Sequence, residues 1–260
     1  MAEVKVPAIV LAGGKTYGSL AAATGETWRA LIRIAGRPIV EFLLDALRQA
    51  QSIGKVVLVG PDELDDAIPH SLHDARVPGG AGLAESLFSG LQYLNCSGPA
   101  LAVTADVPCI TAAAIEDFVQ ASAACAADLS YSIIPRDVCD ARFPGVHRTY
   151  VRVKEGSFTG GNATMLRAEA MMEKEDLIRQ LYQARKSPLR LASLLGPRFV
   201  VGLLLGRAAI ADIERRASQI LGASARAVVS RYAELGFDVD KLDDLVTARK
   251  ALGEQSKGRL

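Results

Sequence analysis

Val4-Lys5-Val6-Pro7-Ala8-Ile9-Val10-Leu11-Ala12-Gly13-Gly14-Lys15 decides how this chain is read. From Val4 to Leu11 the residues are mostly aliphatic without a regular polar alternation, as in a strand buried on both faces. Two glycines then end the run. Glycine allows close approach of the backbone and turns its N–H groups toward phosphate oxygens, and Lys15 adds a point charge. Two glycines also make an ordinary turn, so the reading depends on what surrounds them.

Outward from this stretch the chain alternates. Pro38 opens a helix whose apolar positions are Ile39, Phe42, Leu43, Ala46 and Leu47. Lys55–Val59 is a second buried strand closed by Gly60-Pro61, and acidic residues 62–68 read as a short helix. A helix over Leu83–Leu94 follows, then a strand over Pro99–Thr104. Thr111 is a suitable N-cap for a helix through Ala121, and Leu129–Ile134 is another strand. This rhythm predicts an α/β fold, Rossmann-like, with a mostly parallel sheet and helices on both faces.

After Pro135 the pattern changes. Val146–Val153 alternates and predicts a strand, with Arg148 and Arg152 on the face opposite Val151 and Val153. Ser157–Met165, which contains Gly160-Gly161, predicts another. Arg167–Leu221 reads as mainly helical, a helical insertion at about 167–222 broken by Ser187-Pro188 and Gly196-Pro197. Arg226–Ser230 reads as a strand and Asp243–Leu252 as a closing helix. No repeat or low-complexity linker divides residues 1–260, so the chain is read as a single domain.

A formal net charge of +1 gives no global field for nucleic acid or anionic membrane, so phosphate recognition must be local and no nucleic-acid partner is expected. Cys96, Cys109, Cys125 and Cys139 form no C-x-x-C pair and do not cluster with His70, His73 or His147, which argues against zinc and for reduced thiols. The apolar runs Val6–Ala12 and Phe199–Leu205 are too short to span a bilayer. A cytoplasmic protein with no transmembrane segment is the expectation.

Further along lie Arg29-Ala30-Leu31 and Gly36-Arg37-Pro38-Ile39, the latter opening a helix. Leu11-Ala12-Gly13-Gly14 followed by these two motifs resembles the nucleotidyltransferase superfamily with a GT-A-like fold. Within it the motifs are most similar to the molybdenum-cofactor guanylyltransferase-like proteins and their cytidylyltransferase relatives. The resemblance covers the first ~110 residues and returns near the C-terminus. It implies that the glycine-rich loop, Leu11 through Lys15, wraps a triphosphate that Lys15 and Arg29 neutralise. It departs from the family in two places: Thr16-Tyr17-Gly18-Ser19-Leu20 lacks the usual arginine, and Arg29 stands where lysine is usual. Arginine keeps the charge and adds bidentate reach.

In Pro78-Gly79-Gly80-Ala81-Gly82-Leu83-Ala84-Glu85-Ser86 the resemblance implies base contacts from Gly79, Gly80 and Ser86. Asp106 ends a buried strand where open α/β sheets bind ligands, and its carboxylate suits Mg²⁺ or Mn²⁺. A second carboxylate is expected from Phe237-Asp238-Val239-Asp240. Alternation puts Asp238 and Asp240 on one side, either able to reach a metal, and the family's closing motif favours Asp238. The basic stretch around Arg148, with Gly161 and Asn162, suggests an anionic acceptor site.

The expectation is therefore a Mg²⁺-dependent enzyme with catalytic residues Lys15, Arg29 and Asp106. It would move a nucleoside monophosphate from a triphosphate, GTP or CTP by resemblance, to a phosphorylated small-molecule acceptor with release of pyrophosphate. Alternatives are a nucleotide-sugar glycosyltransferase, for which Asp238-Val239-Asp240 is formally a D-x-D sequence, and a non-catalytic nucleotide-binding regulator. Residues 188–221, with Arg190, Arg198 and Arg207 among leucines, read as core, as a lid or acceptor site, or as a homodimer surface.

Overall fold

The apolar run at the start of the chain forms strand β1 (Val6–Leu11). The computed structural model describes residues 5–184 and 196–253. The order along the chain continues with α1 (Gly18–Thr24), β2 (Arg33–Ile34), β3 (Arg37–Pro38), α2 (Ile39–Gln49), β4 (Ile53–Gly60), α3 (Glu63–Ala67) and β5 (Ala75–Pro78). Then come α4 (Leu83–Leu94), β6 (Pro99–Thr104), α5 (Ala112–Cys125), β7 (Leu129–Pro135), α6 (Arg136–Arg142), β8 (Val151–Val153) and β9 (Gly156–Arg167). The chain goes on through α7 (Ala168–Met172), α8 (Glu175–Ala184), helices Pro197–Leu204 and Ile210–Leu221, β10 (Ala225–Val229) and a closing helix, Leu242–Ala251. One eight-stranded sheet of order β10-β7-β9-β6-β1-β4-β5, with β8 added on β9, forms the centre.

Strands β6, β1, β4 and β5 run parallel, as does β10 beside β7. Alternation along each strand feeds two cores. Ala8, Val10, Val56, Leu58, Leu101 and Val103 meet α2 and α5 through Leu43, Leu44, Leu47, Ile115 and Phe118. Ile9, Leu11, Val57, Val59 and Ala102 meet α4 and α7 through Phe88, Leu91 and Met171. Each of the larger of these side chains, Val, Leu, Ile, Phe or Met, stabilises the fold by roughly 1.5–3 kcal/mol when fully buried. This is why these strands read as continuous apolar runs: both faces are covered. Thr111 caps α5, its hydroxyl accepting the Ala114 N–H at 3.2 Å.

Strand β9 lies antiparallel between β6 and β7. It is longer than the sequence pattern indicates. The expected strand Val146–Val153 is a correction: only Val151–Val153 pairs, as β8 on β9. Upstream of it Tyr150 packs on the core and Arg148 is drawn inward to a carboxylate. Arg148 and Arg152 therefore do not share a strand face; Arg152 is exposed. Helix α6 occupies residues that carried no clear periodic signal. Within the expected helical insertion, Ser187-Pro188 and Arg190 lie outside the described residues, as does the side chain of Arg198. Arg207 lines a cleft of about 370 Å³ with Arg215 and Arg216.

Candidate active site

The loop after β1 is a stapled hairpin. Ala12 N–H donates to Val59 O at 2.7 Å, which keeps the loop at the end of the sheet. Arg29 N–H donates to Gly14 O (2.8 Å) and Thr16 N–H to Thr27 O (2.9 Å), while the Thr16 hydroxyl donates to Glu26 O. Lys15 pairs with Trp28 in an isolated β-bridge, and its Nζ stands 5.3 Å from the Trp28 ring centre. The hairpin thus brings both Lys15 and Arg29 to the same cleft, Lys15 over Trp28 and Arg29 against Gly14. Gly14 leaves room for the guanidinium: a Cβ would come within 2.9 Å of Arg29 Nη2.

Asp106 follows β6. Its carbonyl accepts the Val239 N–H at 2.9 Å, tying the 237–240 strip to the end of that strand. Phe237 and Val239 are fully buried, and the Phe237 ring stacks on Phe143 at 4.2 Å. Burying the odd-numbered residues leaves Asp238 and Asp240 to face Asp106. Oxygen atoms of the three carboxylates lie within 4.8 Å of one another. Arg29 Nη1 pairs with Asp106 Oδ2 at 2.8 Å and also with Asp240. Arg148 Nη1 pairs with Asp238 Oδ1 at 3.2 Å.

Charge explains this arrangement. Burial holds the Asp106 carboxyl above its ordinary value, and Arg29 offsets only part of that rise. Asp238 is pushed up by burial and by the neighbouring Asp106 and Asp240 charges. Such a cluster needs positive charge. Asp106 Oδ1 is buried with no hydrogen-bond partner, and a buried unpaired carboxylate oxygen is costly. Clustered hard oxygens with one orphaned atom fit a divalent cation of the Mg²⁺ type. Asp240 joins Asp238 in the cluster, so both carboxylates that the alternation allows reach it.

Of these groups Asp106 and Arg29 border a cleft of about 720 Å³, and Asp238 and Asp240 adjoin it through Asp106. Leu11, Ala12, Gly13, Gly14, Lys15, Arg29 and Asp106 line one part of it. Gly80 and Ser86 line another; Gly79 sits behind them, its N–H donating to Gly60 O at 3.1 Å. The Ser86 hydroxyl oxygen accepts the Gly80 N–H at 3.1 Å, so its first task is to shape the turn into α4. Asn162 has structural duties as well. Its amide nitrogen donates to Leu235 O and its amide oxygen accepts the Thr104 hydroxyl, both at 3.2 Å. At Gly161 a Cβ would fall 2.2 Å from Ser132 Oγ, so packing alone demands glycine. Arg148 is joined to the acidic cluster through Asp238.

Sequence reasoning missed one wall of the cleft. Glu85 of α4 and Arg179, Tyr182 and Gln183 of α8 line it. The signal was present: positions 179, 182 and 183 are spaced i, i+3, i+4, which puts them on one helix face. Nothing in the sequence says which surface that face meets.

Comparison with known proteins agrees with this geometry. The family model described as the MobA-like NTP transferase domain matches residues 8–235. A hypothetical transferase from Thermus thermophilus is 39% identical, with a TM-score of 0.83 over 93% of this chain and 100% of that one. CMP:2-keto-3-deoxy-manno-octonic acid synthetase complexed with CTP gives a TM-score of 0.64 at 13% identity, covering 96% of this chain and 99% of its own. The 2-C-methyl-D-erythritol 4-phosphate cytidylyltransferase of Thermus thermophilus gives 0.56 at 18% identity, covering 97% and 100%. At those two identities the likeness concerns the fold alone. No curated protein matches the chain.

Proposed function

Because the chain belongs to the MobA-like NTP transferase family, we propose that it transfers a nucleoside monophosphate from a nucleoside triphosphate to a phosphorylated small molecule, with Mg²⁺ and release of pyrophosphate. The observation that carries this reading is that Lys15, Arg29 and Asp106 line one cleft, with Asp106 in a single carboxylate cluster with Asp238 and Asp240 and Arg29 paired to it.

The chemistry asks little covalent work of the protein. An acceptor phosphate oxygen attacks the α-phosphorus, the bond from that phosphorus to the α,β-bridging oxygen breaks, and pyrophosphate leaves with the electron pair. Catalysis is then positioning and charge neutralisation. Backbone N–H groups of Gly13 and Gly14, with Lys15, hold the triphosphate. Asp106 with Asp238 and Asp240 would hold the metal, which when bound supplies Lewis-acid stabilisation of phosphate charge. Arg29, already tethered between loop and acids, neutralises charge on the departing phosphates. Arg148 would take an anionic acceptor in competition with its partner Asp238, and Asn162 and Gly161 lie on β9. GTP and CTP are the first triphosphates to try, CTP because two structural relatives are named for cytidylyl transfer or bound CTP.

The test is pyrophosphate release from each triphosphate with Mg²⁺ and a panel of phosphorylated acceptors. Pyrophosphate from one triphosphate, dependent on metal and acceptor, is the expected result. Nucleoside diphosphate released from a nucleotide sugar would favour a glycosyltransferase, and binding without turnover a regulatory role; either would overturn the proposal.

A further inference from the structure

The cleft is electrically polarised. Lys15 and Arg29 stand on the loop side, with Asp106 of the cluster that would hold the divalent cation, whereas Glu85 faces the cleft from the first turn of α4. Arg179 does not reverse the sign there. Its Nε donates to Glu175 Oε1 at 3.0 Å and its Nη1 reaches Glu85 Oε1 at 3.5 Å, so one guanidinium serves two carboxylates. A triphosphate avoids such a wall, and an uncharged base does not.

Glu85 is held in place. Gly80 and Gly82 leave the room its side chain uses: a Cβ on Gly80 would fall 2.2 Å from Glu85 Cβ, and one on Gly82 2.8 Å from Glu85 Oε2. Beneath, the Arg179 guanidinium lies 5.9 Å from the centre of the buried Phe88 ring. Helix α8 is thereby clamped to α4, and Tyr182 and Gln183, on the same face as Arg179, complete the wall.

Resting on the nucleotidyltransferase reading, we propose that Glu85 is the base-selecting residue of this cleft and that Arg179 positions it. An ionised carboxylate only accepts hydrogen bonds. It therefore favours a base with an exocyclic amine on its Watson–Crick edge, as in cytosine, guanine or adenine. Uracil has a carbonyl oxygen, O4, where cytosine carries its amine, and its one donor on that edge, N3–H, is flanked by two carbonyl oxygens that repel a carboxylate.

Calorimetric titration of the full chain with CTP, GTP, ATP and UTP in Mg²⁺ tests this. The best amino-bearing triphosphate is expected to bind about 10- to 100-fold more tightly than UTP, the worth of one hydrogen bond to a charged group. Glu85→Asp keeps the sign of that preference. Glu85→Gln, whose amide can also donate to a carbonyl, brings UTP within about threefold. Arg179→Ala narrows the ratio and Arg179→Lys restores part of it, an effect on selectivity that loss of packing alone does not produce. An unchanged ratio in Glu85→Gln, or wild-type protein that binds UTP as well as the others, overturns the proposal and leaves the transferase reading standing. No binding of any triphosphate overturns both.

Discussion

Arg29 is the residue on which the site turns. It links the glycine-rich hairpin, through Gly14, to Asp106 and Asp240. Adding a methyl at Gly14 meets the far end of a flexible side chain, so Gly14→Ala should fold normally while displacing the guanidinium. Triphosphate affinity is expected to fall roughly tenfold, the size of one lost charged hydrogen bond, readable by titration. Asp106→Asn should retain the wild-type unfolding temperature to within a few degrees. It should lose on the order of 100- to 1,000-fold in pyrophosphate release, by analogy with removal of one charge-stabilising contact. Wild-type turnover in that variant with Mg²⁺ present would disprove the assignment.

At the scale of the element, the strip from Phe237 to Asp240 couples packing to chemistry. Phe237 and Val239 are buried so that Asp238 and Asp240 can face Asp106. Phe237→Ala is expected to destabilise by about 3–5 kcal/mol. Because the ring also anchors the carboxylates, Mn²⁺ binding followed by electron paramagnetic resonance should weaken under conditions where the variant is still folded. Metal binding at wild-type strength would separate the two roles.

A second element-scale contact joins β7 to β10. Asp128 Oδ2 accepts from the Ser224 N–H at 2.9 Å and its hydroxyl at 2.7 Å. Those hydrogen bonds hold the Asp128 carboxyl below its ordinary value of 3.8. A lowered folded-state value means stability that is fully present above the unfolded value and lost as pH falls through the folded one. Asp128→Asn should thus be less stable than wild type at neutral pH, and the gap should close in acid. A gap constant from pH 7 to 3 in denaturant titrations would count against this.

For the whole molecule, burial sorts the thiols. Cys109 is buried and its thiol is pushed up to about 12, whereas Cys125 is exposed. Alkylation of native protein at pH 8 should modify Cys125 first and reach Cys109 only on unfolding, as peptide mapping would show. Ligand linkage acts at the same scale. A triphosphate at 100 times its dissociation constant stabilises the folded state by about 2.7 kcal/mol, a shift of roughly 5–11 °C in thermal unfolding. That shift should require Mg²⁺ for its full size.

Strand identity was legible from the sequence because β1, β4 and β6 are covered on both faces and must be aliphatic throughout. Glycines at 13 and 14, Asp106 and the Asp238/Asp240 alternation could be picked out because strand ends and period-2 patterns are local, whereas Arg29 was singled out through the family resemblance. Other features were not local. Arg148 leaves the expected strand because a carboxylate 90 residues away, Asp238, holds it at 3.2 Å. Ser86 and Asn162 carry hydrogen bonds within the fold because Gly80, Thr104 and Leu235 happen to stand beside them. The α8 wall was readable as an amphipathic face, but its partner was not. The sequence by itself determined the layered sheet and the chemistry-bearing residues at its strand ends, since both follow from short-range periodicity. Only the tertiary structure decided which charges face one another across the cleft, since that depends on contacts between residues far apart in the chain.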